Sequence, residues 1–393
     1  MIDLDVIEGN VSALRSRLPA GCGLMAVVKG EGYGYGMLPS AAACVRAGAQ
    51  WLGVAALEEA LTLRQNGFTC PILILGVTAP GLAPVLARQR ISQVVPSLEY
   101  ARELASRLEG ACLPIHLGVD TGMGRLGWWT QPETISAVCG EIREIREISG
   151  LQIEGVMTHL SSARGTNQEA EAYTRRQLDI FRRLCRTLEK QGISIPCRHA
   201  ANSGALLRHG DSLEGLNLVR IGHLLYDGLP GGEALGLRSA LELKASVACV
   251  KELPAGACVG YGRTYRLPRP ARIAVLNIGS CDGYPACLSN RGWMLLRGIR
   301  VPVVGSVCMD QTMLDVSAVP DAKAGDPVTI VGRDGGAELT AEDISAQAGG
   351  AIDALSTSFR NRLPRFYRQG GRLVGKLHTI QTFESFDSES EEG

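Results

Sequence analysis

Short apolar runs recur through the first 230 positions of the chain, and many of their residues are β-branched. Eight runs stand out, namely Leu24–Lys29, Trp51–Ala55, Ile72–Gly76, Ile91–Ser97, Pro114–Asp120, Ile153–His159, Cys197–Ser203 and Leu218–Leu225. Between them, apolar and charged residues follow helical spacing, as in Ala56–Gln65, Tyr100–Leu108 and the stretch from Gln168 to Lys190. Each interval is long enough for a right-handed βαβ crossover. The pattern predicts an α/β fold, a (β/α)8 barrel, with a doubly wound open sheet as the alternative.

The pattern changes after Gly228, where the segment Leu229–Gly236 has the composition of a linker. Strand-like runs then follow one another without long helices, at Leu241–Leu253, Ala271–Ile278, Trp293–Leu296, Val301–Val307, Met313–Val316 and Pro327–Val331. Helices are expected at Ala341–Ala348 and Ala351–Phe359. We therefore predict a barrel over residues 1–230, a mainly-β domain over 231–382 and a disordered acidic tail over 383–393.

Composition narrows the classes of partner. Lys+Arg and Asp+Glu both number 40 among 393 residues, and aromatic residues make up 5%, so neither nucleic acid nor an anionic membrane is an expected partner. The twelve cysteines include no Cys-x-x-Cys pair, so a metal site is not expected and buried free thiols are. The first residues lack the basic and apolar regions that are typical of a signal peptide, and no apolar run is long enough to span a bilayer. We expect a cytoplasmic protein, with the soluble part of a longer membrane protein as the alternative.

Candidate chemistry lies at the ends of the predicted barrel strands, where barrel enzymes place their active sites. Lys29 ends the first run and precedes a glycine-rich loop. A lysine at such a strand end is partly buried, which favours the neutral, nucleophilic amine that forms a Schiff base. By itself, such a lysine more often only reaches toward water. Further polar residues gather at four other strand ends, namely Arg125, His159, His199, Asn202, Ser203 and Arg220.

Phosphate is a plausible ligand of this edge. Ser203 with Gly204, and Gly222 with His223, offer a hydroxyl and backbone N–H groups. The chain contains no P-loop motif and no dinucleotide fingerprint between a strand and a helix, so nucleotide-binding folds are disfavoured.

After the Lys29 loop with Tyr33 and Gly36, the chain contains GVDTGMGRLG, HAANSG, LVRIGHLLYDG, GYGRTY, CDGYP, VCMDQ and RLPRFY, in that order. Together these segments resemble the alanine racemase family. The similarity covers nearly the whole chain, and its motifs are specific as a set. It implies a barrel that binds pyridoxal 5′-phosphate (PLP), a C-terminal β-domain and a head-to-tail homodimer. It also implies an amino-acid substrate, L- or D-alanine, and a place in D-alanine biosynthesis for peptidoglycan precursors.

The resemblance assigns two bases. Lys29 would hold PLP as a Schiff base and act as one base, and Tyr261 of the partner subunit would be the other. Racemisation needs such a pair, because one proton leaves one face of Cα and another arrives on the opposite face. His159 and Arg220 match residues that tune the tyrosine. Arg220 would also donate a hydrogen bond to the pyridine nitrogen, and an arginine donates no proton.

The remaining contacts are also implied by the resemblance. Arg125 would contact the phenolic oxygen of PLP and the substrate, and Met309 would line the substrate pocket from the other subunit. The other cofactor-binding residues would be Tyr33, Asn202, Ser203, Gly222, His223 and Tyr367, with most of them holding the phosphate.

Three positions depart from the family pattern. Gly118 stands where the family commonly has a carbamylated lysine, so an anion or another side chain must orient Arg125. Ser280 replaces a gate tyrosine and Ser306 replaces an arginine. These changes leave open a serine racemase or one of broad specificity. More distant alternatives are a PLP-dependent amino-acid decarboxylase and a non-catalytic PLP-binding protein. The Tyr261 motif and the Arg220 position argue against the decarboxylase, and the long β-domain with Tyr261 and Met309 argues against the binding protein.

Overall fold

The computed structural model describes residues 1–227, 231–349, 352–360 and 362–377. They form two compact units, one comprising Asp3–Ala240 and the other comprising Met1–Ile2 with the chain from Leu241 onward. The predicted domain boundary at residue 230, the start of the predicted linker and the acidic tail at 383–393 lie outside the described residues and stay predictions.

The first unit alternates strands and helices. After β1 (Ile2–Asp3), which begins in the second unit, the strands in chain order are β2 (Gly23–Val27), β3 (Trp51–Val54), β4 (Ile72–Ile74), β5 (Ile91–Val95), β6 (Leu113–Asp120), β7 (Trp128–Trp129), β8 (Leu151–Met157), β9 (Cys197–His199) and β10 (Leu218–Ile221). The helices are α1 (Leu4–Arg15), α2 (Lys29–Tyr33), α3 (Met37–Arg46), α4 (Leu57–Gln65), α5 (Ala83–Arg88), α6 (Leu98–Ala105), α7 (Ile135–Arg146), α8 (Gln168–Lys190), α9 (Ser203–Arg208) and α10 (His223–Tyr226).

Eight parallel strands form a nearly closed barrel in the order β10-β2-β3-β4-β5-β6-β8-β9. The two end strands meet through backbone hydrogen bonds, from Asn217 N to Arg198 O at 3.2 Å and from Arg220 N to Ala201 O at 3.0 Å. The (β/α)8 prediction is therefore confirmed, and the doubly wound alternative is wrong.

The barrel interior is a packed apolar core. Met25, Leu73, Val94, Met157 and Leu218 are buried in one cluster, and they come from five different strands. Side chains on a strand alternate between its two faces, so every second residue of an apolar run reaches this interior. The core fixes the eight strands and leaves chemistry to the strand ends.

Several predicted strands end earlier than expected. Lys29 does not extend β2 but begins α2, Ser203 begins α9, and His223–Leu225 lie in α10. In each case a turn or cap intervenes that apolar composition does not reveal. The side chain of Asn202, for example, accepts a hydrogen bond from Ala205 N and so starts α9.

The second unit is mainly β. Its strands are β11 (Leu243–Leu253), β12 (Cys258–Val259), β13 (Tyr265–Arg266), β14 (Ala271–Leu276), β15 (Trp293–Leu296), β16 (Ile299–Pro302), β17 (Thr312–Asp315), β18 (Pro327–Asp334), β19 (Ala337–Leu339), β20 (Arg365–Gln369) and β21 (Arg372–Leu377). Its helices are α11 (Ala341–Ala348) and α12 (Ile352–Ser358). The main sheet has the order β16-β15-β18-β11-β14-β17, with β19 added to β18. The pairs β12–β13 and β20–β21 stand outside it, and β1 extends the second pair.

This architecture confirms the mainly-β prediction. One strand was misplaced, because β16 ends at Pro302 and Val303 makes only an isolated bridge to Leu314. Gly305, with φ +80°, turns the backbone away from strand geometry. None of the helices in the described part of the chain combines the length and the apolar character that a bilayer crossing demands.

A buried asparagine ties the start of the barrel unit to its end. Asn10, 2% exposed on α1, donates through Nδ2 to Leu225 O at 3.1 Å and to Arg238 O at 2.8 Å. Its Oδ1 accepts from Arg238 N at 3.0 Å. One side chain thus satisfies three backbone groups far away in sequence.

We predict that Asn10→Ala lowers the free energy of unfolding of the barrel by roughly 2–4 kcal/mol, because buried backbone groups lose their partners. Urea denaturation followed by circular dichroism measures the change. Asn66→Ala is the control, since Asn66 Nδ2 bonds Thr62 O at an exposed helix end and its loss should cost far less. Equal stability of Asn10→Ala and wild type would contradict the anchoring role.

Candidate active site

The segment after Lys29 is a left-handed turn. Gly30, Glu31, Gly32 and Tyr33 have φ values of 62°, 55°, 61° and 56°. Glycine adopts this conformation at no steric cost, whereas a residue with a Cβ is strained in it. The strain at Glu31 and Tyr33 is held by the surrounding structure, which is common at functional sites.

A carboxylate from the next βα unit fixes this turn. Glu59 accepts hydrogen bonds from Gly30 N at 2.6 Å and from Ala55 N at 2.7 Å. Within the turn, Gly32 N donates to Val28 O and Gly34 N donates to Gly30 O. Half-buried Lys29 is therefore set at the carboxyl end of the barrel strands, as its sequence position indicated.

The turn also delivers Tyr33 to the ends of β9 and β10. An ideal Cβ on Gly222 would lie 2.4 Å from Tyr33 Oη, so only glycine fits beside this ring. Gly222 N donates to Ser203 Oγ at 3.2 Å, and the ring of Tyr33 meets the ring of His223 edge to face at 5.0 Å. Four predicted phosphate-site residues are thus together, in the position where barrels commonly bind phosphate.

Arg220 lies fully buried inside the barrel mouth. Its Nη1 donates to His199 O at 2.8 Å and to His199 Nδ1 at 3.0 Å. Its Nη2 donates to Thr158 O at 2.7 Å and makes longer contacts with Ala200 O at 3.3 Å and His159 Nδ1 at 3.4 Å. Among the described residues, none of its hydrogen bonds uses Nε, so this donor remains for a ligand.

His159 is kept neutral by its surroundings. Burial, followed by the charges of Arg220, Arg125 and Lys29, lowers the pKa of His159 to about 3. Burial and the nearby charge of Arg125 also lower the pKa of Arg220, to about 9. The structure therefore brings the cationic side chains of Lys29, Arg125 and Arg220 together with a neutral imidazole.

The loop after β6 is organised by one carboxylate. Asp120 accepts from Gly122 N, Met123 N and Arg125 N at 2.7–2.9 Å. Burial alone would raise the pKa of Asp120, but these N–H groups outweigh it and the pKa is lowered. The Asp120 contact fixes the backbone of Arg125 without any side chain at Gly118.

Gly118 has little space beside it. An ideal Cβ there would lie 3.0 Å from Val94 Cγ1, so a lysine at this position requires Val94 to move. Gly118, Arg125 and His159 line one small cavity of about 30 Å³. Glycine at position 118 thus suits the limited space beside Val94.

Asn202 is engaged in holding the backbone. Besides capping α9, its Nδ2 donates to Leu160 O at 3.1 Å. Its predicted contact with the cofactor stays a prediction.

Tyr261 projects from a tight turn of the C-terminal unit and is 75% exposed. Gly260 and Gly262 on either side have φ values of 75° and 68°. Ser306 Oγ donates to Tyr261 O at 3.0 Å, so one of the family departures fixes this turn. An exposed phenol on a fixed backbone is available to another surface.

Met309 is also exposed, at 63%, and shares a groove with Tyr261. The neighbouring Asp310 pairs with Arg362 Nη2 at 2.8 Å, and Arg362 also binds Asp282 through two bonds of 2.6 and 3.0 Å. This ion-pair cluster joins the loops around Ser280 and Met309. Cys281 N also donates to Met309 O at 2.9 Å, so the two loops are joined directly as well.

Tyr367 is 3% exposed and lies in β20 of the C-terminal unit. Its predicted role at the phosphate stays a prediction.

The sequence interpretation did not select His116 and Glu154, two polar residues inside the barrel. His116 Nδ1 lies 2.7 Å from His199 Nε2, and His116 Nε2 lies 3.2 Å from Glu154 Oε2. Their signal in the sequence is a titratable residue within an otherwise apolar strand. That signal is weak without knowledge of which strands are neighbours.

Comparisons with known proteins agree with this architecture. The family model described as alanine racemase, N-terminal domain, matches residues 2–230, and the one described as alanine racemase, C-terminal domain, matches residues 240–367. The alanine racemase of Desulfosudis oleivorans is 40% identical over 381 residues, covering 94% of this chain and 96% of that protein.

Two solved structures show the same fold. Alanine racemase from Bacillus anthracis with bound L-Ala-P is 32% identical, with a TM-score of 0.87 and 96% of both chains covered. Histidine racemase from Leuconostoc mesenteroides is 30% identical, with a TM-score of 0.82, 94% of this chain and 97% of that chain covered.

The barrel with its polar mouth, together with the separate sheet unit, defines an isomerase of the amino-acid racemase class. More particularly, the chain belongs to the alanine racemase family.

The buried histidines make the barrel sensitive to acid. Burial is the largest cause of the lowered pKa values of His116, His159 and His199. Below the ordinary histidine pKa of about 6.5 the unfolded chain binds more protons than the folded one, so stability is lost as pH falls. The loss is about 1.4 kcal/mol per pH unit for each histidine that stays neutral.

We predict that His159→Asn reduces the slope of unfolding free energy against pH by about one proton between pH roughly 5 and 6, because the variant lacks one such group. Urea denaturation across this range measures both slopes. Above about pH 7.5 the slopes of variant and wild type should agree, which serves as the control. Identical slopes in the acid range would mean that His159 titrates normally in the folded protein.

Proposed function

We propose that the protein is a PLP-dependent racemase that interconverts L- and D-alanine. The observation that supports this most is the cluster at the barrel mouth, where Lys29 lies near Arg125, Arg220 and a neutral His159. A lysine suits attachment of an aldehyde cofactor, and the guanidinium groups suit the anionic oxygens of cofactor and substrate. The family match argues against the decarboxylase and the non-catalytic alternatives.

The residues present fit PLP. Ser203 Oγ and Gly222 N lie together beside the rings of Tyr33 and His223, and a hydroxyl with a backbone N–H group is the kind of donor set that binds a phosphate. When bound, PLP supplies an aldehyde for the Schiff base and a ring that makes the substrate Cα–H acidic. Arg220 Nε would donate to the ring nitrogen, and Arg125 would bind the phenolic oxygen and the substrate carboxylate. Ser203 and His223 complete the proposed phosphate site, and the resemblance adds Asn202 and Tyr367.

Lys29 and Tyr261 are the proposed bases. Each would hold or move a proton at one face of Cα, with Lys29 from the barrel and Tyr261 from the other unit of a partner subunit. Lys29 is half-buried, which limits its contact with water, whereas Tyr261 is largely exposed and needs another surface to become desolvated. The geometry of each unit therefore favours a shared site.

We propose a homodimer on the same grounds. Tyr261 and Met309 stand beside a groove of about 690 Å³ lined by Val259, Ile273 and Val275. Exposed apolar side chains around such a groove mark an interaction surface. A second copy covering it would bring Met309 to the substrate pocket of its partner.

We infer a reducing compartment, the cytoplasm, because all twelve cysteines are free thiols. A supply of D-alanine to peptidoglycan precursors is the corresponding proposed role.

Serine or broad specificity is the second candidate. Ser280 and Ser306 are small where the family has larger side chains, which favours a wider entrance. We predict that alanine is racemised faster than serine, measured by chiral chromatography of both enantiomers of each amino acid incubated with the protein and PLP. Faster turnover of serine would identify serine, and not alanine, as the preferred substrate. No turnover of any amino acid would refute the proposed activity.

We predict that Lys29→Ala abolishes the visible absorption band of bound PLP and its bleaching by borohydride, because a Schiff base needs the amine and is reducible. Absorption spectra of wild type and variant test this. Lys190→Ala, on the last turn of α8, is the matched control and should keep the band. An unchanged spectrum in Lys29→Ala would refute the attachment.

For Tyr261→Phe we predict that exchange of the Cα hydrogen with solvent falls at least about 100-fold more for one enantiomer than for the other, because only one face loses its base. Mass spectrometry in deuterated water measures both exchanges. Tyr265→Phe is the control on the same segment. Mixed dimers of the Lys29 and Tyr261 variants should recover one intact site, and their continued inactivity would reject a shared site.

A further inference from the structure

A chain of hydrogen bonds runs through the barrel interior away from the mouth. Arg220 Nη1 lies 3.0 Å from His199 Nδ1, and His199 Nε2 lies 2.7 Å from His116 Nδ1. His116 Nε2 lies 3.2 Å from Glu154 Oε2, which also accepts from Ser92 Oγ at 2.7 Å. The chain connects a buried cation to a carboxylate whose side chain is 30% exposed.

The direction of every hydrogen bond in this chain follows from one fact. Arginine has only donors, so His199 Nδ1 must accept and His199 Nε2 must carry the proton. His116 Nδ1 then accepts, so His116 Nε2 carries its proton and donates to Glu154. Both imidazoles are neutral Nε2–H tautomers between a guanidinium and an ionised carboxylate.

The charges of the surrounding groups agree with this assignment. Burial lowers the pKa of both His116 and His199. Burial would raise the pKa of Glu154, but the hydrogen bonds from His116 and Ser92 outweigh it and the pKa is lowered. Glu154 is therefore ionised at neutral pH and both histidines are uncharged.

The barrel accommodates this chain of hydrogen-bonded side chains at a cost in stability. His116 on β6, Glu154 on β8 and His199 on β9 stand on three neighbouring strands. An ideal Cβ on Gly155 would lie 2.3 Å from His116 Nδ1, so a glycine is required opposite the ring. Two fully buried imidazoles stabilise a fold less than apolar side chains of the same size, which points to a task beyond packing.

We propose that Glu154, His116 and His199 are positioning residues that hold the guanidinium of Arg220 through hydrogen bonds, so that its Nε–H faces a ligand at the barrel mouth. The chain polarises each hydrogen bond toward Glu154 and so orients Nη1. With Nη2 on Thr158 O, the guanidinium plane is fixed at both ends. The identity of the ligand rests on the proposed function, whereas the hydrogen-bond assignment does not.

The first test measures the tautomers directly. Protein labelled with ¹⁵N-histidine and saturated with PLP is studied by long-range ¹⁵N–¹H correlation spectra, with His116→Gln and His199→Gln for assignment. We expect the Nε2–H tautomer for both residues. An Nδ1–H tautomer or an imidazolium at either residue would overturn the proposal, whether or not the protein racemises alanine.

The second test distinguishes Glu154 acting as a hydrogen-bond acceptor from Glu154 only filling space. Glu154→Gln keeps an oxygen that accepts from His116, and Glu154→Leu removes it. We expect Glu154→Leu to shift the resonances of both histidines and to lower kcat about tenfold with a smaller change in KM, which corresponds to about 1.4 kcal/mol of transition-state stabilisation. Glu154→Gln should keep both tautomers and stay within about threefold of wild type.

Glu141 provides the matched control. It is half-buried on α7 and accepts from Trp128 Nε1 at 2.7 Å, but it is not part of the chain. Glu141→Leu should leave the spectra of His116 and His199 and kcat unchanged. Unchanged His199 resonances and kcat in Glu154→Leu would reject the proposal. If Glu154→Leu does not fold, the wild-type tautomers decide, because an Nδ1–H tautomer or an imidazolium at His116 or His199 rejects the proposal.

The outcomes also separate this proposal from the proposed function. If both histidines have the expected tautomers but the protein racemises no amino acid, the hydrogen-bond assignment is supported and the proposed racemase activity is refuted. If the protein is an active racemase with other tautomers, the activity is supported and the hydrogen-bond assignment is refuted.

Discussion

The buried guanidinium of Arg220 is the interaction on which the candidate site depends. It stands on β10 and bonds carbonyl oxygens beyond the end of β8 and at the end of β9, so it joins three consecutive strands at one edge. An arginine can do this because its terminal nitrogens offer four hydrogens in one plane, whereas a lysine has a single point of attachment. The strand ends that carry His159, His199 and Ser203 are thereby fixed relative to one another.

This constraint explains the electrostatics of the barrel mouth. Three cations lie close enough to lower the pKa of His159, yet the buried one is solvated by carbonyl groups and linked to Glu154 through two imidazoles. The result is a positive surface with a neutral histidine at its centre. Such a surface suits a ligand with a phosphate and a carboxylate, and the neutral overall charge of the chain is no obstacle because the charge is local.

The sequence was most informative where periodicity and glycine coincide. Eight apolar runs predicted eight strands, and the glycines after Lys29 marked a loop whose left-handed geometry the structure then showed. The partners of His116 and Glu154 could not be predicted, because neighbouring strands are defined by the barrel and not by position in the chain. The hairpin β20–β21 was also missed, since its alternation is interrupted by charged residues and two glycines.

Ser203 and Gly222 lie just after β9 and β10, the neighbouring barrel strands that are joined least completely. β9 and β10 meet through two backbone hydrogen bonds, and side-chain contacts from Arg220 supply the remaining connection. A ligand that bridges these strand ends would therefore also close the barrel. Cofactor binding and resistance to thermal unfolding would then be coupled, and the occupancy of the site would determine how long the enzyme stays folded.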